Sequence, residues 1–189
     1  MITLPTRIDL FAKLPRGAFV AEVGVWRAYL SVEILKNPIA KLYCVDAWKQ
    51  QRSGIEVAPD AEHEANYREA LHNLRGHLKG GRVEVIREWS PEASLDPRIK
   101  PLDMAYIDGA HDYDSVLADL IAWEKKLKPT GVLAGHDYCD HAEAKKWGFG
   151  VIPAVNDFCR DHGWEIVLLT DEDFPSYCLS RKAWRGAEL

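Results

Sequence analysis

Phe19-Val-Ala-Glu-Val-Gly-Val-Trp-Arg-Ala-Tyr-Leu-Ser31 begins with a short apolar run interrupted by Glu22, stops at Gly24, and resumes with apolar residues three and four apart. A run that short is a buried strand and not a helix, and the change of spacing after the glycine marks a tight turn into a helix. The same unit recurs along the chain. Strand-like runs stand at 18–23, 42–45, 83–86, 104–107 and 132–134, with helical spacing near 28–36, 61–78, 112–127 and 151–161. This alternation predicts an α/β fold around a parallel sheet. The tail differs: runs at 164–169 and 176–179 are joined by Thr-Asp-Glu-Asp-Phe-Pro, too short for a helix, which predicts a closing antiparallel hairpin. Pro5, Pro15 and Gly17 set off residues 1–17 as an N-terminal helical extension, with a short helix near 6–14, packed on a single domain of residues 18–189.

At 189 residues the chain suits one domain with a sizeable core, and 47% hydrophobic against 28% charged residues is the balance of a soluble globular protein. Its net charge of -5 gives no footprint for gripping a phosphate backbone, so nucleic acid is not an expected partner. Arg7, Asp9, Lys13 and Arg16 interrupt any signal-peptide core, and no apolar stretch is long enough to enter a membrane. Cys44, Cys139, Cys159 and Cys178 are scattered without a C-x-x-C pair, as in a reduced, cytoplasmic protein.

In an open parallel sheet the ligand crevice lies beyond the carboxyl ends of the strands. Gly24 leaves the first strand there, and Asp46 closes the second strand 22 residues later, about the spacing at which an acid meets ribose hydroxyls. Glu22 and Ala28 stand where a dinucleotide fingerprint needs its first and third glycines, which disfavours a pyrophosphate. A ribose-bearing cofactor without pyrophosphate remains, and S-adenosylmethionine fits. Farther along, Asp108 and His111 sit in the turn after the fourth strand, and His136-Asp137 follow the fifth. Acids at the ends of strands about 4.8 Å apart can converge on one hard cation, and a histidine near neutrality can take a proton from a hydroxyl. The competing reading has Asp108 capping the next helix and His111 on the surface.

Glu-Val-Gly-Val-Trp-Arg-Ala-Tyr-Leu-Ser, Val-Asp-Ala-Trp, Ile-Asp-Gly-Ala-His-Asp-Tyr, Leu-Lys-Pro-Thr-Gly-Val and Gly-His-Asp-Tyr, in this order, resemble the class I S-adenosylmethionine-dependent methyltransferases. Within them the chain is most similar to the branch of macrocin-type sugar O-methyltransferases and cephalosporin-hydroxylase-like proteins. The resemblance runs from about Phe19 to Leu179. It implies a Rossmann-like three-layer sandwich with a seven-stranded, mostly parallel sheet whose last strand is antiparallel. It also implies cofactor contacts from Glu22, Gly24, Asp46, Trp48, Ser90 and Asp108, with Ser90 on the adenine side. Metal-dependent relatives carry Mg²⁺ or another divalent cation at positions that here are Asp108, His136 and Asp137.

These readings lead to the expectation of methyl transfer, in EC class 2.1.1, to the oxygen of a hydroxylated small molecule, a sugar or secondary metabolite. His111 would be the general base and Asp108 its neighbour at the reacting oxygen. The polar stretch 138–150, with its aromatics and glycines, is a candidate lid. A homo-oligomer stays open. So do a nitrogen-alkylating member of the same fold and a catalytically degenerate adenosyl-ligand-binding or scaffold domain marked by Ala28 and His136.

Overall fold

The computed structural model of the chain describes residues 1–49 and 59–181. Its elements run β1 (Ile2–Leu4), α1 (Arg7–Phe11), β2 (Phe19–Val23), α2 (Tyr29–Ile34), β3 (Lys41–Asp46), α3 (Asp60–Lys79), β4 (Val83–Arg87), α4 (Ser90–Ala93), β5 (Leu102–Ile107), α5 (Tyr113–Glu124), β6 (Leu127–Gly135), α6 (Ala142–Lys146), α7 (Val151–His162), β7 (Trp164–Thr170) and β8 (Tyr177–Arg181).

The strands form one sheet in the order β1-β7-β8-β6-β5-β2-β3-β4. β2, β3, β4, β5 and β6 pair parallel, and β8 is antiparallel to both β6 and β7. The tail hairpin therefore forms as its sequence predicts. Two expectations need correction. The sheet has eight strands and not seven, and the first residues are not wholly helical: β1 pairs parallel with β7, Ile2 opposite Leu168, and becomes the sheet edge outside the hairpin. Three residues ahead of Pro5 are too few for periodicity to register.

Alternate residues of the central strands enter different cores, as parallel strands buried on both faces must. Val20, Leu42, Cys44, Met104 and Tyr106 pack with Leu10, Phe11, Ile34 and Leu74 on one face. Ala21, Tyr43, Val45, Ala105 and Ile107 pack with Leu120, Trp123, Phe158 and Trp164 on the other. The result is the expected three-layer sandwich. Chain direction reverses its walk across the sheet between β2 and β5, which are neighbours, and this places a crevice at their carboxyl ends. No helix among the described residues is long and apolar enough to cross a membrane.

Candidate active site

At those strand ends lies a cavity of about 550 Å³, walled by the exits of β2, β3, β4 and β5 and by one side of α3 and of α5. Gly24, Asp46, Trp48, Ser90, Asp108 and His111 all border it. Their roles within it differ from one to the next.

Asp46 ends β3 with its carboxylate turned to the neighbouring loops. Oδ2 accepts the backbone N–H groups of Val25 (3.0 Å) and Trp26 (2.8 Å), and Oδ1 accepts that of Trp48 (2.7 Å). Burial raises its pKa, and these three donors oppose the rise. Trp48 is 2% exposed, donates its indole N–H to the Trp26 carbonyl at 2.7 Å, and rests its ring 4.8 Å from Tyr67. Asp46 is thus first a clamp on both loops, with lone pairs left over for a ligand hydroxyl. Among the described residues only Trp26, Ala28, Trp48 and Asp137 have positive φ without being glycine. Trp26 and Trp48 line the cavity, Ala28 caps α2 beside it, and Asp137 pairs with His111 at its far end. Left-handed backbone concentrated in this way marks a site held in shape by its surroundings.

Glu22 does not line the cavity. It is 1% exposed beneath it and accepts a hydrogen bond from Ser31 at 2.5 Å, while the Cys44 thiol lies against that hydroxyl. Burial, together with the charges of Asp108 and Asp46, lifts its pKa to about 8 against the Ser31 bond. The folded state therefore keeps a proton that the unfolded chain releases near pH 4.3. Stability from this group is complete below that value and is lost as pH rises toward 8. Glu22→Gln is expected to flatten this loss, gaining roughly 2–4 kcal/mol on the wild type between acid and alkaline pH in denaturant titrations. Parallel curves for the two proteins would remove the buried-acid account.

Gly24 also proves different from its sequence reading. Its φ is +88°, and a Cβ there would lie 1.9 Å from the Asp108 carbonyl oxygen. The glycine admits the neighbouring strand exit and not a ligand. Ser90 borders the base end, but its Oγ accepts the Trp123 indole N–H at 2.9 Å and its hydroxyl donates to Asp119.

At the other end four side chains interlock. His111 Nε2 lies 2.9 Å from Asp137 Oδ2 and 3.8 Å from Asp108 Oδ1; His136 Nδ1 lies 3.0 Å from Asp137 Oδ1 and 3.6 Å from Asp108 Oδ1. Asp108 is not the helix cap: Asp112 is, accepting the Ser115 N–H at 3.1 Å. Burial alone would lower both imidazoles, but hydrogen bonds and charge from Asp108 and Asp137 outweigh it and raise His111 to about 10 and His136 to about 9. The same contacts overcome the raising effect of burial on both acids and pull them below their usual range. His111 is therefore not poised near neutrality, as its sequence setting suggested, because two carboxylates face it at once. Donor atoms of Asp108, His111 and Asp137 lie within 4.8 Å of one another, so a divalent ion would find its ligands in this trio. The expected set had His136 in place of His111; His136 instead leans on the acids through Nδ1, with Nε2 buried and unpartnered among the described residues.

Three contributions escaped the sequence reading. Arg7 of α1 places its guanidinium 3.6 Å from Asp108 and 3.5 Å from Glu172. His63 and Asn66 of α3, and Asp119 of α5, enter the cavity wall. The 138–150 stretch carries α6, and its end fastens to the site: Gly150 N–H donates to the His111 carbonyl at 2.8 Å, and the Phe149 ring lies 4.7 Å from the His111 ring.

A family model described as a methyltransferase domain matches residues 22–138. An uncharacterized protein, y4gI, of Sinorhizobium fredii is 32% identical over 109 residues, covering 58% of this chain and 11% of that protein. The chain spans about half or less of the length of the curated relatives it matches. Among solved structures, an O-methyltransferase family protein from Burkholderia thailandensis superposes with a TM-score of 0.64 at 12% identity, covering 92% of this chain and 55% of that one. The M. capricolum protein TrmK, in complex with S-adenosylhomocysteine, gives 0.61 at 16% identity, covering 95% and 69%. With the matched residues running from the end of β2 through the strand exits that build the cavity, the chain belongs to the methyltransferase-domain family of class I S-adenosylmethionine-dependent enzymes.

Proposed function

We propose that this domain binds S-adenosylmethionine in the cavity and transfers its methyl group to the oxygen of a hydroxylated small molecule, a sugar or secondary metabolite, as in the macrocin-type branch. The observation that carries this reading is one continuous cavity with a loop-clamping acid, Asp46, at one end and the Asp108–His111–Asp137 cluster at the other. Its volume, about 550 Å³, lies in the range of small-molecule sites.

Transfer forms an oxygen–methyl bond as the sulfur–methyl bond breaks, and the bonding pair returns to sulfur, leaving a neutral thioether. The protein has to align oxygen, carbon and sulfur, exclude water and receive the hydroxyl proton. His111, at the cavity wall with Nε2 on Asp137, is placed to receive it. Asp137 fixes the ring and stabilises the imidazolium that forms, and Arg7 beside Asp108 balances charge. A divalent ion, if bound, would be held by Asp108, His111 and Asp137 and would lower the pKa of the acceptor hydroxyl. Net charge of -5 continues to favour a small acceptor over nucleic acid.

Calorimetric titration with S-adenosylhomocysteine tests the cofactor assignment. Micromolar binding is expected, and Asp46→Ala should weaken it about 10- to 100-fold, both by losing an acceptor for the ribose and by releasing the two loops. No heat and no thermal shift with either adenosyl ligand would sink the reading.

A further inference from the structure

The α5 side of the cavity holds an acid that the chemistry above does not use. Asp119 is 4% exposed and borders the cavity beside Ser90. The Ser90 hydroxyl donates to it, while Ser90 Oγ accepts from the Trp123 indole at 2.9 Å. The single proton of Ser90 is thereby committed, and its oxygen already serves one donor, so Ser90 has no donor left for a ligand base. Asp119 is the reverse case. Its charged surroundings, Asp112 and Glu92, are both acidic, and burial lifts its pKa to about 7. A carboxylate has about four acceptor sites, and Ser90 fills one. A ligand N–H pointing at α5 would supply what the protein does not.

We infer that Asp119 selects the base of the bound nucleoside, accepting a hydrogen bond from the exocyclic amine of a 6-aminopurine, and that Ser90 is a positioning residue that holds the carboxyl group toward the cavity. This rests on reading the cavity as an adenosyl-ligand site. A 6-oxopurine would set a carbonyl oxygen against the carboxylate, two acceptors with no proton between them, and a buried polar site rejects such a mismatch strongly.

The test compares S-adenosylhomocysteine with S-inosylhomocysteine, its 6-oxo counterpart, by calorimetry on the whole chain. Wild type should bind the amino ligand at least about 30-fold more tightly. Asp119→Asn keeps the shape but offers an amide N–H to the 6-oxo group, so the preference should shrink below about threefold or invert. Ser90→Ala leaves the carboxyl group in place and should retain most of the discrimination. Equal binding of both ligands by wild type overturns the inference whatever the variants do. Wild-type discrimination that survives in Asp119→Asn overturns it as well, and loss of discrimination in Ser90→Ala alone would return the role to Ser90. If wild type binds neither ligand, the adenosyl reading itself falls, and this assignment with it.

Discussion

Gly24→Ala should lower the stability of the domain by at least about 4 kcal/mol, in the range reserved for a specific structural conflict. The added Cβ would stand 1.9 Å from the Asp108 carbonyl oxygen, 2.4 Å from its carbon and 2.7 Å from the Gly109 Cα. All three are backbone atoms, so no rotamer change relieves the collision. The backbone on both sides is also tied down. Gly24 N–H donates to Val45 at 2.9 Å and Asp108 N–H donates to Val23 at 2.7 Å, which locks the exits of β2, β3 and β5 together. A φ of +88° adds strain for any side chain. Gly76 is the control: it lies within α3 with nothing within 4 Å of an added Cβ, and Gly76→Ala should stabilise by roughly 0.5–1 kcal/mol through helix propensity. Denaturant midpoints for the two variants check both signs. A Gly24→Ala protein within about 1 kcal/mol of wild type would mean that the junction of β2 and β5 is far softer than these contacts describe.

That conflict also shows what the sequence could and could not convey. The strands were legible because apolar runs flanked by Gly or Asp are short and discrete, and β2, β3 and β5 fall where those runs lie. The position of Gly24 was legible too, but its reason was not: the atom that excludes a side chain belongs to Asp108, 84 residues farther on, and reaches it only through the sheet. Arg7 was hidden in the same way, since α1 meets Asp108 only because β1 joins β7. α6 lies in a polar stretch with no apolar stripe to announce it. Asp119 left a signal that went unread. It falls three residues after Val116 and four before Trp123, both buried, which puts an acid on the inward face of an amphipathic helix. The acids and histidines of the cluster could be named from strand ends, but their protonation depends on four side chains meeting within a few ångströms, and no linear spacing encodes that.

His111→Ala should reduce kcat by about 10²- to 10⁴-fold, the usual contribution of a positioned proton acceptor. The pH profile is the more searching measurement. In the free domain His111 is an imidazolium, raised to about 10 because Asp108 and Asp137 outweigh the opposing effect of burial. It has to lose that proton before it can take one from an acceptor. Without divalent ions, kcat/KM should therefore climb close to tenfold per pH unit through neutrality and level off only near the raised value. The Nε2 atom facing the carboxylates is also the atom within reach of a shared cation, so a bound Mn²⁺ or Mg²⁺ and a proton compete for one nitrogen. Added metal should accordingly move the rising limb toward acid pH or remove it, and exhaustive EDTA treatment should restore the steep profile. Asp137→Asn should lower the pKa of His111 and flatten the climb, because the 2.9 Å contact loses its charge. A profile that is flat from pH 6 to 9 in EDTA-treated wild type, with His111→Ala fully active, would show that this imidazole neither receives the proton nor gates the reaction.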